Sequence, residues 1–182
     1  MVPSTYEHSE PGCAPAVSSP DVPWVTMPRN SEPAPGAYSS TPLSKKLGVK
    51  EGHTLLLIGA PARWEVPRLP AKVQLIRRSN APRTRDSKAE VVISFFETAA
   101  ALFRDGPPIA RSLAPTSALW VAWPRRAGGH ESDITEQLMR DILLPIGIVD
   151  VKVAALDRDW SGLKFVWRRE DREDRGRLPD RS

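Results

Sequence analysis

Residues 54–61 read Thr54-Leu55-Leu56-Leu57-Ile58-Gly59-Ala60-Pro61. An unbroken run of apolar and β-branched residues, stopped by glycine and proline, predicts a strand covered on both faces. Strands of that kind sit in sheets with a packed layer on each side, and such sheets are mostly parallel. The reading of this one segment therefore sets what to look for on either side of it.

Downstream, Lys72-Val73-Gln74-Leu75-Ile76 predicts a second strand ending at Arg77-Arg78, after an irregular stretch closed by Pro67 and Pro70. Ala89 to Phe96 (AEVVISFF) predicts a third strand, again apolar on both faces. Glu97 to Arg104 reads as a helix that Pro107-Pro108 interrupts, with another turn or two from Ile109 to Leu113. Ala118 to Trp123 (ALWVAW) predicts a fourth buried strand, ended by Pro124 and followed by a basic glycine loop from Arg125 to His130. Asp133-Ile134-Thr135-Glu136 resembles a capping box with Asp133 as the cap. Ile134, Leu138, Met139, Ile142 and Leu143 then share one helical face, until Pro145 and Gly147. Val149, Val151 and Val153 alternate with polar residues, as do Leu163, Phe165 and Trp167, around a turn from Asp157 to Gly162. That is the pattern of an antiparallel hairpin. Upstream, Thr41 as cap, Pro42 at the first helical position and Gly48 as the stop predict a short helix.

Buried strands alternating with helical segments predict an α/β domain over residues 41–168, with a mostly parallel sheet and a C-terminal antiparallel hairpin. The flanks differ in composition. Eight of the 19 prolines fall in residues 1–40, which predict a disordered tail holding Cys13 and a short apolar stretch, Pro23-Trp24-Val25 and Met27. Residues 169–182 mix both charge signs densely and predict a second, charged disordered tail. Glu7, Glu10, Asp21 and Glu32 against Arg29 leave residues 1–40 at −3, while the body from 41 to 167 carries +6. One cysteine excludes an internal disulfide framework. No apolar run approaches the roughly 20 residues of a membrane span, and the N-terminal stretch MVPSTYEHSE lacks a secretory pattern. The expected setting is the cytoplasm, without membrane contact.

The order of elements over residues 43–168 resembles the Rossmann-like fold of S-adenosylmethionine-dependent methyltransferases. That resemblance implies a first strand lying between the second and third, with the fourth beside the third. Three segments also look like those of a family of small actinobacterial proteins catalogued as a domain of unknown function: TPLSKKLGVKEG (41–52), ALWVAWPRR (118–126) and DVKVAALDRDWSGLKFVWRRE (150–170).

A methyltransferase-like sheet implies a glycine-rich turn after the first strand and an acidic residue at the end of the second. Here the turn holds a single glycine, Gly59, followed by Ala60 and by Pro61, which lacks a donor. The place of the acid holds Arg77-Arg78. No cofactor is therefore assigned. Arg77, Arg78, Arg125 and Arg126 all follow strand ends, where open parallel sheets bind ligands. With Gly59 and Ala60 they form a candidate crevice for an anion. His8, His53 and His130 show no metal-ligand spacing, and no nucleophile motif surrounds a serine. Trp120, Trp123 and Trp167 read as core or edge aromatics, and Trp160 as a lid on the hairpin. Nucleic-acid signatures are missing, which disfavours such a partner. The expectation is a non-enzymatic binding or regulatory module for a small anionic ligand or a protein. The alternatives are an enzyme with a degenerate methyltransferase-like fold, and a nucleic-acid-associated basic protein.

Overall fold

The computed structural model describes residues 41–79 and 88–177. The expected N-terminal tail with Cys13, the Trp24 stretch, and most of the basic loop from Ser79 to Lys88 lie outside those residues. Six strands form one sheet: β1 (Thr54–Ile58), β2 (Gln74–Arg78), β3 (Val91–Phe95), β4 (Ala118–Pro124), β5 (Ile148–Ala155) and β6 (Trp160–Trp167). Their order is β2-β1-β3-β4-β6-β5. The first four run parallel, and β6 is antiparallel to both of its neighbours. This is a Rossmann-like, mostly parallel sheet with a C-terminal antiparallel hairpin, and β1 lies between β2 and β3 as expected.

Successive side chains of a strand face opposite sides, so β1 feeds two cores. Leu56 and Ile58 join Leu102, Ile109, Met139, Leu143 and Phe165 beneath helices α2 (Ala99–Arg111) and α3 (Glu136–Leu143). Leu55 and Leu57 join Leu47, Trp64, Ile93, Phe95 and Trp120 on the other face. Helix α1 (Leu43–Leu47) covers that second face, tied by Trp120 Nε1–H donating to the Leu47 carbonyl at 3.1 Å. Its end is the expected one. Gly48 adopts φ 84°, and the N–H groups of Gly48 and Val49 return to the Ser44 carbonyl. Its start differs, because Pro42 occupies the cap position and supplies no side-chain acceptor.

Four further elements depart from the sequence reading. Helix α2 runs unbroken through Pro107 and Pro108. The carbonyls those prolines leave without donors belong to Phe103 and Arg104, both exposed to solvent. The buried face at Leu102, Gly106, Ile109 and Ala110 meanwhile holds the helix against the sheet. The cap of α3 is Thr135, whose hydroxyl accepts from the Leu138 N–H at 3.1 Å. Asp133 instead accepts from the Ala99 N–H at 2.9 Å and so caps the start of α2. The hairpin turn is shorter than expected, since β6 already begins at Trp160. Residues after Arg168, expected as a tail, form helix α4 (Arg169–Arg177). It is held by an Arg169–Glu173 pair at 3.8 Å and by Arg172, which donates to the Trp167 carbonyl. Among the described residues, no helix is long and apolar enough to cross a membrane.

Candidate functional site

Because β1 to β4 are parallel, their C-terminal ends share one edge of the sheet. The turn between β5 and β6 reaches the same edge, as Trp160 pairs with Pro124. At the end of β1, Gly59 takes φ 65°, and a Cβ there would lie 3.1 Å from the Phe95 carbonyl oxygen. Only glycine fits such a turn without strain. Residues 59–73 then cross to β2 without any helix. Trp64 and Val66 pack down as a cover instead.

Arg77 and Arg78 are the last two residues of β2, not residues beyond it, and they sit in register with Leu57 and Ile58. As neighbours in a strand they leave on opposite faces. The Arg77 guanidinium donates to the Pro61 carbonyl at 3.3 Å and to the Trp64 carbonyl, so it fastens the crossover loop. Gly59, Ala60, Arg77 and Arg78 line one cavity of about 560 Å³, with Leu57, Ala62 and Ser79. Arg125 and Arg126 are not part of its wall. They stand past the end of β4, where the Arg125 N–H donates to the Asp159 carbonyl at 2.7 Å.

A second group collects beside them. A cavity of about 320 Å³ is walled by Glu97, Pro124, His130, Glu131, Asp159 and Trp160. Within it His130 Nε2 lies 2.9 Å from Asp159 Oδ1. Asp159 is itself placed by a turn, since Asp157 Oδ1 accepts from the N–H groups of Asp159 and Trp160 at 2.7 Å each. Of the rings at this edge, Trp160 lines the cavity, and the others pack behind it. Phe95 meets Trp64 edge-on at 4.8 Å and Trp160 edge-on at 5.0 Å between ring centroids. Trp160 thus packs over the strand ends as the sequence suggested. Trp120 and Trp167 are core residues, fully buried or nearly so.

The sequence reading did not single out the His130–Asp159 pair, whose members are 29 residues apart. Its one signal was Gly128-Gly129 before His130, facing the Asp-rich hairpin turn. Among the described residues, no group of three acidic, histidine or cysteine side chains is placed to hold a metal ion.

The fold family implies S-adenosylmethionine, and the residues at the end of β1 can be compared with it. The lining of the β1–β2 cavity has guanidinium groups where a carboxylate would meet the ribose hydroxyls, and among the described residues it contains no acidic side chain. Pro61 removes one backbone donor from the turn, and no helix N-terminus follows to add others. These residues do not fit S-adenosylmethionine.

No family model and no curated protein matches this sequence. The chain is similar in structure to a S-adenosylmethionine-dependent methyltransferase from Aquifex aeolicus, at 15% identity and a TM-score of 0.47, over 66% of this chain and 85% of that one. It is similar also to a tRNA methyltransferase from B. subtilis, at 10% identity and a TM-score of 0.48, over 72% and 67% of the two chains. A ribosomal protein methylase from Lactobacillus delbrueckii subsp. bulgaricus gives 12% identity and a TM-score of 0.43, over 69% and 75%. At these values the likeness describes architecture and assigns no activity to this chain. It does correct one expectation. The solved structures it resembles are named as methyltransferases, against the expectation of a non-enzymatic binding or regulatory module and the leaning away from an enzyme, and that expectation is not carried further.

Proposed function

We propose that this chain is an enzyme with a degenerate methyltransferase-like fold, working at the C-terminal edge of β1, β3 and β4. The observation that carries this reading is the His130–Asp159 pair at 2.9 Å in the wall of a cavity at that edge. A carboxylate accepting from Nε2–H fixes the imidazole tautomer and leaves the lone pair on Nδ1. His130 then takes a proton from a substrate hydroxyl or amine, and Asp159 stabilises the imidazolium that results. Trp160 is the aromatic face of that cavity against which a flat substrate group can rest, and Phe95 supports it edge-on from behind. The reaction class is proton-assisted group transfer or hydrolysis, with no step through S-adenosylmethionine. The three segments that resemble the actinobacterial family support placing the chain there.

The experiment is depletion of small molecules from a bacterial extract, followed by mass spectrometry. The full chain is expected to consume at least one component. His130→Gln and Asp159→Asn are expected to slow that consumption by about 10²-fold or more, the scale of one general acid–base group. An extract left unchanged by the parent protein, or consumed equally by the variants, overturns the reading.

A further inference from the structure

The His130 cavity has an aromatic side, a base and a charge of one sign. Trp160 forms the aromatic part of its wall, braced edge-on by Phe95 at 5.0 Å. Asp159 is committed to His130 at 2.9 Å. Glu97, just beyond β3, and Glu131, in the loop after β4, complete the polar part of the wall. Both are exposed, and among the described residues neither has a hydrogen-bond or ion-pair partner. Among the described residues no lysine or arginine lines this cavity, Arg125 and Arg126 included. An indole ring beside unpaired carboxylates attracts an organic cation and repels phosphates and carboxylates.

The proton transfer assigned to His130 narrows the choice between a hydroxyl and an amine. An alcohol that gives its proton to Nδ1 is left as an alkoxide. That is a new negative charge in a wall that already carries Glu97 and Glu131, and like charges at such range repel. An ammonium group behaves differently. R–NH3+ and neutral His130 become R–NH2 and imidazolium, so the positive charge moves across one hydrogen bond and none is created. The carboxylates that attract the substrate then stabilise the imidazolium together with Asp159. The volume, about 320 Å³, lies at the small end of the roughly 300–1,000 Å³ of ligand sites and suits one ring with a short arm.

We infer that the His130 cavity selects a small organic cation, an amine carried on a flat group, with the flat group against Trp160 and the ammonium facing Glu97 and Glu131. This deepens the enzyme reading above and rests on it, naming the substrate class of the same site.

The test is NMR titration of the full chain at low ionic strength, following the indole N–H signal of Trp160. Benzylamine, benzyl alcohol and benzoate share one ring and nearly one size, and at neutral pH they are cationic, neutral and anionic. Ammonium chloride is the fourth probe. Benzylamine is expected to bind about tenfold or more tightly than the other three, a preference that shrinks as salt rises. Glu97→Gln combined with Glu131→Gln is expected to lower benzylamine to the level of benzyl alcohol and leave the alcohol unchanged, with circular dichroism showing the variant folded. Benzyl alcohol or benzoate binding as tightly as benzylamine overturns the inference, and so does ammonium alone binding as tightly. A preference that survives in the double variant, or no saturable shift with any probe, overturns it too. Extract depletion and its loss in His130→Gln are read without these probes, so the enzyme reading stands or falls separately.

Discussion

A methyl group on Gly128 would sit 2.6 Å from the carbonyl oxygen of Arg158, closer than real Cβ contacts allow. The same methyl would press on His130 Cδ2 at 3.2 Å and on Asp159 Cα at 3.3 Å. The loop after β4 therefore lies against the hairpin turn because residue 128 has no side chain, and the His130–Asp159 contact depends on that closeness.

Gly128→Ala is expected to push the loop off the turn and part His130 from Asp159. Overpacking of this kind costs about 1–3 kcal/mol. Urea unfolding should show that loss, and the His130 ring signals in NMR should move toward those of His130 in Asp159→Asn. Unchanged ring signals would separate the glycine from the pair.

Leu56 is fully buried in the middle of β1, between β2 and β3. Leu56→Ala is expected to cost about 2–5 kcal/mol. Val151→Ala provides the contrast, because Val151 is 53% exposed on the outer strand β5. Its cost should stay within about 0.5 kcal/mol. Similar losses for the two in urea unfolding would contradict the burial assigned to β1.

Thr135→Ala removes the cap of α3, at an expected cost of about 1 kcal/mol. Asp133→Ala should act on a different helix, since its carboxylate accepts from Ala99 at the start of α2. Hydrogen exchange distinguishes them. Amides at 136–138 should speed up in the first variant and those at 99–101 in the second.

Lys164 gives the pH dependence. Burial, and then the neighbouring Lys152, hold its ammonium below the ordinary lysine value of 10.5. A lysine whose folded value is depressed binds its proton more weakly in the native state than in the unfolded chain. The resulting penalty is present in full below the folded value and fades as pH rises toward 10.5. Melting temperature should therefore climb more steeply, or fall less steeply, just below pH 10.5 in the parent than in Lys164→Met. Parallel curves for the two proteins would show that Lys164 is not strained by its surroundings.

The strands were legible because burial on both faces leaves unbroken apolar runs, and TLLLI, VVISF and ALWVAW needed nothing from elsewhere in the chain. Helix α2 was not legible past Pro107. Local chemistry argues for a break there, and only the burial of Leu102, Ile109 and Ala110 in the core beneath the helix overrides it. Asp133 was assigned to the wrong helix because a carboxylate caps whichever N–H groups the fold brings to it, and those of Ala99 are 34 residues away. Helix α4 lacked the apolar face that marks a helix in sequence and relies on ion pairing and a tether to Trp167. In the candidate site, Gly59 and the β2 arginines were visible as the end of a strand. Arg77's commitment to two loop carbonyls was not, nor was the His130–Asp159 contact, since loop packing creates both.

The insertion of β6 between β4 and β5 has a consequence for synthesis of the chain. Strand β4 is buried through most of its length and pairs with β3 on one side, but its other partner is β6. Residues 118–124 leave the ribosome before residues 160–167 do. At roughly 5–20 residues per second, the apolar rim of β4 waits several seconds with its hydrogen-bonding groups unpaired, a template for any extended segment nearby. The charged stretch 125–141 emerges during that interval. The nascent chain is therefore most exposed to mispairing just before its last strand arrives, and a truncation ahead of Trp160 would make that state permanent.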